Sequence, residues 1–219
     1  MAGEAAHHLG RVLRAEAGQF YELSDGKAAW LARIENVSRD RVQFALLEPI
    51  ANREPVLQTT LLLSIVKFDS FEWALEKATE LGVREIVPLA AARSEKALLH
   101  AAEKRSERWK KILLDAAQQS RRVSLPELKP LTKPENAFRQ AGGFRVMLSE
   151  KTEARALKEI VPARADAAVL AIGPEGGWTD EEFSAAASAG FQQASLGQLI
   201  LRTETAVVAT LSNLNYSLG

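Results

Sequence analysis

The stretch Val169-Leu170-Ala171-Ile172-Gly173-Pro174-Glu175-Gly176-Gly177-Trp178-Thr179-Asp180-Glu181-Glu182 decides the fold. Ala168 to Ile172 is an apolar run of strand length, closed by glycine and proline. Thr179 and Glu182 stand three apart, the spacing of a capping box, so a helix begins there, and Gly190 is placed to end it. The intervening glycines let the backbone approach a ligand and expose its N–H groups, while Pro174 fixes part of the loop. Strand, glycine loop and capped helix form the repeating unit of a mostly parallel sheet with helices on both faces. Ligands of such sheets sit just beyond the carboxyl ends of the strands. Alone, the loop reads equally well as a tight turn that holds nothing. It is not G-x-G-x-x-G, and it lacks the Lys-Ser/Thr of a phosphate loop.

A second glycine loop follows the next strand, Gln193 to Leu196. Leu196-Gly197-Gln198-Leu199-Ile200-Leu201-Arg202-Thr203-Glu204-Thr205-Ala206 leads into a last helix, Thr203 to Leu214. Two such loops after neighbouring strands share one crevice. The plainer reading is that Arg202 and Glu204 only cap and pair at a helix start.

Upstream, strands are expected at Glu85 to Leu89 and Phe144 to Leu148. One helix is expected after an Asp69/Glu72 capping box, with Phe71, Ala74, Leu75, Ala78 and Leu81 inward and Gly82 at its end. A second covers Glu103 to Ser120, with Trp109, Ile112, Leu113 and Ala116 on one side and Lys104, Arg108 and Lys111 on the other. The first part of the chain reads as β-rich: Tyr21 to Leu23, Ala29 to Ile34 and Val42 to Leu47, with a turn at Ser24-Asp25-Gly26-Lys27. These short strands suggest a small barrel. Glu48 to Pro55, polar with two prolines, separates it from the run Leu57 to Val66. The expected division is therefore residues 1–56 and 57–219.

The bulk numbers remove several functions. With no cysteine among 219 residues, disulfides, thiolate metal sites and cysteine nucleophiles are excluded. His7, His8 and His100 lack metal-ligand spacing, and no metal is expected. No G-x-S-x-G elbow marks a serine hydrolase. Neither a membrane-spanning run nor a signal pattern is seen, so a soluble cytoplasmic protein is expected. Formal net charge is zero, yet Arg93 to Lys133 holds eleven basic and five acidic residues, and Asp166 to Gly219 one basic and six acidic. A local basic face can hold phosphates on a neutral protein; the bland alternative is a solvated helix.

Taken together, G-P-E-G-G at Gly173 to Gly177 and L-G-x-x-I-L-R-x-E-T-A at Leu196 to Ala206 resemble the bacterial 16S ribosomal RNA (uracil-N3)-methyltransferase family, of the SPOUT class. Further agreement comes from Glu72-Trp73, Lys77 to Val83, Ile86-Val87-Pro88, Arg93-Ser94, Trp109, Gln119-Ser120, Arg122, Leu125-Pro126, and His7-His8-Leu9 with Arg11 to Arg14. The match runs in order over nearly the whole chain. The family commonly has Glu where Gln118 stands and Gly where Arg121 stands. Relatives also carry an extra strand before the His-His motif, which implies a shortened barrel or a weaker RNA grip here.

The resemblance implies an α/β fold: a SPOUT-type trefoil-knotted methyltransferase domain preceded by a small PUA-like RNA-binding β-barrel, acting as a homodimer. It implies S-adenosylmethionine held by Leu148, Ser149 and Glu150; by Gly173, Pro174, Glu175, Gly176 and Gly177; and by Leu196, Gly197, Ile200, Leu201, Arg202, Thr203 and Ala206. The partner is 16S ribosomal RNA or the small ribosomal subunit, gripped through Arg11, Arg14 and Arg122, with Lys104, Arg108 and Lys111 as outer phosphate contacts. Uracil N3 carries a proton at neutral pH, so Arg202 is expected to stabilise the anion, with Glu204, Glu175 or water as base. The competing readings are a non-catalytic ribosome-assembly factor, a SPOUT enzyme acting on another RNA, and a nucleotide-dependent oxidoreductase. The last lacks its G-x-G-x-x-G loop.

Overall fold

The computed structural model describes residues 1–38, 40–51, 55–139 and 142–219. The chain divides into two compact units, Met1–Glu54 and Pro55–Gly219.

The first unit opens with a helical turn, α1 (Glu4–His7), which continues into a π-helical turn over His8–Val12. Three antiparallel strands follow in the order β1 (Phe20–Ser24), β2 (Ala29–Val37) and β3 (Val42–Ile50). The expected turn forms between β1 and β2: Asp25 Oδ1 accepts from the Lys27 and Ala28 amides at 2.8 Å, and Gly26 has φ +88°. Two differences from expectation stand out. Among the described residues the strands make an open meander, since three strands are too few to close a barrel. Helical residues fill the gap: Ala6 and Leu9 pack with Ala15, Ile34 and Val42. In addition β3 runs on through Glu48 and Pro49, because on an edge strand proline loses no ladder bond. Of the linker read between Glu48 and Pro55, residues 52–54 lie outside the described ones.

The second unit is a seven-stranded parallel sheet in the order β6-β5-β4-β9-β7-β10-β8. Its strands are β4 (Gln58–Ser64), β5 (Glu85–Leu89), β6 (Glu127–Leu128), β7 (Phe144–Leu148), β8 (Arg155–Ala156), β9 (Ala167–Ile172) and β10 (Gln192–Ser195). The helices are α2 (Phe68–Glu80), α3 (Lys96–Ala102), α4 (Ser106–Gln119), α5 (Pro134–Ala137), α6 (Leu157–Ile160), α7 (Asp180–Ser188) and α8 (Thr203–Leu218). Alternation along β4 explains the layering: Leu61 and Leu63 join a core with Phe71, Leu75, Trp109, Leu113, Val207 and Leu211. Leu62 faces the other way, toward Phe138, Trp178, Phe183 and Phe191. Helices α2, α4 and α8 thus cover one face, and α5 and α7 the other.

The capping box of α7 is present: Thr179 Oγ1 accepts from the Glu182 amide, and Glu182 Oε2 from the Thr179 amide. The one expected at Asp69/Glu72 is not. Helix α2 starts at Phe68 after Lys67 with no side-chain cap, and Glu72, 7% exposed, instead binds Arg105 and Arg108 at 2.8 Å each. Burial beside two guanidinium groups outweighs a cap that solvent can replace.

Candidate functional site

The carboxyl ends of β5, β7, β9 and β10 converge on a cleft of about 770 Å³. Its floor is set by hydrogen bonds between loops. Trp178, 4% exposed, packs edge-on against Phe138 and donates Nε1–H to the Leu148 carbonyl at 3.0 Å, joining the loop after β9 to the end of β7. Gly173 lies over that indole; a Cβ there would stand 3.0 Å from the ring. Gly177 turns back with φ +69°, its amide donating to the Pro174 carbonyl at 2.8 Å. Thr203 Oγ1, at the start of α8, donates to the Gly173 carbonyl at 3.2 Å.

The loop after β7 is tied to α7. Lys151 Nζ lies 3.1 Å from Asp180 Oδ1 and 4.1 Å above the Phe183 ring. The loop after β5 is tied to α7 and to the loop after β9: Glu182 Oε1 accepts from the Ala92 amide at 2.8 Å, and Arg93 Nη1 donates to the Gly176 carbonyl at 2.8 Å. On the β10 side the wall is apolar and open to solvent, with Leu199 82% and Ile200 80% exposed.

The cleft is lined by Leu148, Ser149, Glu150, Gly173, Pro174, Glu175, Gly177, Leu196, Gly197, Ile200, Leu201, Arg202, Thr203 and Ala206. Gly176, one residue away, contributes the carbonyl that Arg93 holds. Glu204 sits in the first turn of α8 and is not among the lining residues. Sequence reasoning assigned no role to Arg93, Lys151 or Trp178. Arg93 belonged to a recognised motif and Trp178 ended the glycine loop, but nothing in the sequence joined either to the cleft.

The basic residues are dispersed. Arg11 and Arg14 are exposed in the first unit, Arg14 with φ +51°. Arg122 is half-buried, and its Nη1 donates to the carbonyls of Thr79 and Val83 at 3.0 and 2.9 Å. That commits the guanidinium to closing the α2–β5 connection rather than to solvent. Arg108 is engaged by Glu72, whereas Lys104 and Lys111 are exposed. Among the described residues no group of three His, Cys, Asp or Glu is arranged to hold a metal ion, and no helix is long and apolar enough to cross a membrane.

The chain matches an RNA methyltransferase domain family over residues 52–215 and an RNA methyltransferase PUA domain family over residues 2–47. It is 36% identical over 219 aligned residues to the ribosomal RNA small subunit methyltransferase E of Synechocystis sp., covering 95% of this chain and 70% of the relative. Among solved structures it resembles the Neisseria gonorrhoeae ribosomal RNA small subunit methyltransferase E bound to S-adenosyl methionine. There the identity is 32% and the TM-score 0.91, covering all of this chain and 91% of the other. A Legionella pneumophila methyltransferase in complex with bound SAM is also similar, at 32% identity and TM-score 0.89, with 100% and 91% covered.

Proposed function

The chain belongs to the ribosomal RNA small subunit methyltransferase E family, and from that premise we propose that it methylates N3 of a uracil in 16S ribosomal RNA with S-adenosylmethionine. The observation that carries this reading is the cleft itself, where three glycine-containing or apolar loops meet at the carboxyl ends of β7, β9 and β10. Its size suits a nucleoside-sized cofactor, within the range of ordinary ligand pockets at ~300–1,000 Å³. The backbone at Gly173 and Gly177 offers close approach, and Leu196, Ile200 and Leu201 offer an apolar rest for an adenine. When bound, a sulfonium supplies an electrophilic methyl group and needs no metal.

The chain's own residues then align and desolvate the acceptor. Arg202 lines the cleft beside the loop that precedes α8. We assign it to orient the uracil and to stabilise the negative charge that develops when N3 loses its proton. Of the two acidic candidates for base, Glu175 lines the cleft and Glu204 does not. The base is therefore Glu175 or water, and Glu204 acts at the positive end of α8.

Further readings belong with this proposal. The strand order β9-β7-β10 and the bond from Thr203 to Gly173 support a trefoil-knotted SPOUT arrangement of the C-terminal segment. Exposed Leu199, Ile200 and Tyr216 support a homodimer. Residues 1–56 are read as the PUA-like RNA-binding part, with Arg11 and Arg14 as phosphate contacts, and the protein as cytoplasmic. The test is incubation with labelled S-adenosylmethionine and small ribosomal subunits from cells lacking the activity, followed by nucleoside analysis. Label in 3-methyluridine of 16S RNA is the expected result; label elsewhere, or none, overturns the reading.

A further inference from the structure

One group of charges in the cleft is not used by the methyl-transfer scheme. Arg93 and Glu150 both line it, and both are exposed. They come from loops after different strands, β5 and β7, and meet across the loop after β9. At Gly177 a Cβ would lie 3.2 Å from Glu150 Oε1 and 3.8 Å from Arg93 Nη1. Those contacts limit the separation of the two charges to about 7 Å, yet they do not close into an ion pair. Lys151, by contrast, is engaged by Asp180.

Arg93 is held from both sides. Ala92 donates its amide to Glu182, and buried Ser94 donates its hydroxyl to the Ile65 carbonyl at 2.7 Å. The Arg93 stem lies flush on Gly176, where a Cβ would stand 3.2 Å from its own Cβ. One guanidinium N–H binds Gly176, leaving other donors of the fork for a ligand. A fixed cation and a nearby anion with a glycine between them form a complementary frame for a zwitterion.

We propose that Arg93 and Glu150 clamp an α-amino-acid group, Arg93 taking its carboxylate and Glu150 its ammonium. The proposal rests on the cofactor reading above and adds to it the end of the cofactor that this corner holds. The opposite end of the sheet edge, at β10, carries the apolar loop suited to a base. In the sheet order β5 and β10 are separated by β4, β9 and β7, so the two ends of the cleft differ in kind: charged at one, apolar at the other.

The test uses two ligands that differ only in this group. Calorimetry on the full chain compares S-adenosylhomocysteine with 5′-methylthioadenosine, which lacks the amino-acid portion. Arg93→Ala is expected to weaken S-adenosylhomocysteine about 10- to 100-fold, the loss of a charge-assisted contact, and to leave 5′-methylthioadenosine within about twofold. Glu150→Gln is expected to act in the same direction. Because Glu150 is exposed, that variant keeps the fold and tests the clamp even if Arg93→Ala does not. Unchanged affinity for S-adenosylhomocysteine overturns the clamp. Equal weakening of both ligands overturns it too, since Arg93 would then only shape the loop at Gly176. Wild-type protein that binds neither ligand overturns the cofactor reading beneath it.

Discussion

Arg202 takes an extended conformation, φ −64° and ψ 154°, as the residue before α8, and its carbonyl accepts from the Ala206 amide at 2.9 Å. The backbone is thus committed to the helix start, while the exposed side chain lines the cleft. Replacing it with alanine should therefore leave the loop in place. Arg202→Ala is expected to lower kcat by roughly 100- to 1,000-fold, the scale for losing one preorganised charge donor, with S-adenosylhomocysteine affinity changed by less than about threefold. Full activity in a single-turnover assay would remove Arg202 from the chemistry. A second residue-scale prediction concerns Arg121. It stands just beyond α4 with φ +56°, a conformation glycine adopts without steric cost. The resemblance had already marked this position as one where relatives carry glycine. Arg121→Gly should be more stable than Arg121→Ala, which loses the same side chain but keeps the left-handed backbone strain, by about 0.5–1 kcal/mol, a difference of roughly 1–4 °C in melting temperature, and calorimetry on the two variants would read it directly.

At the scale of elements, the longer strands and most long helices are legible from apolar periodicity, and the α7 cap from its Thr–Glu spacing, whereas the two-residue edge strands β6 and β8 are too short to carry a pattern and were not expected. What the pattern could not separate is a carboxylate that caps from one that pairs at long range. Glu72 has the capping spacing but lies against Arg105 and Arg108, more than thirty residues away. Burial opposes its ionisation, yet the hydrogen bonds from Arg108 and Arg105 prevail and hold its pKa below the ordinary 4.5. A carboxyl lowered in the folded state contributes stability above its unfolded value, and loses it as pH falls through the folded one. Glu72→Gln should therefore flatten the acid limb of the stability curve below about pH 4.5. At pH 7 it should cost about 1–3 kcal/mol, discounted because both arginines are partly exposed; urea titrations at pH 3 to 7 measure both. Trp178 poses a similar case between loops. Trp178→Phe keeps the packing against Phe138 but removes the bond to the Leu148 carbonyl. It should cost about 1 kcal/mol and weaken S-adenosylhomocysteine about 3- to 10-fold. Unaltered affinity would show that the bond does not shape the cleft.

Over the whole molecule, charge was the least informative signal in the sequence. The basic excess between Arg93 and Lys133 suggested one phosphate-binding face, but much of it is engaged internally: Arg105 and Arg108 by Glu72, Lys110 by Glu107, Lys129 by Glu85 and Glu127. One-dimensional counting cannot distinguish a solvated lysine from one neutralised by a residue distant in sequence. Core composition is clearer. The cluster around Ile34 and Val42 lies wholly within Met1–Glu54, and those around Leu61, Leu62 and Leu57 wholly within Pro55–Gly219. Each unit buries its own apolar face, so the second should fold without the first. All the residues lining the cleft belong to the second unit. A chain of residues 55–219 is therefore expected to unfold cooperatively and to bind S-adenosylhomocysteine within about threefold of the full chain. Its methyl transfer to small ribosomal subunits should fall at least about tenfold, with steeper loss as salt rises, if Arg11 and Arg14 supply phosphate contacts. Retained transfer at every salt concentration would assign RNA recognition to the second unit alone, and loss of cofactor binding would show that the cleft depends on the first.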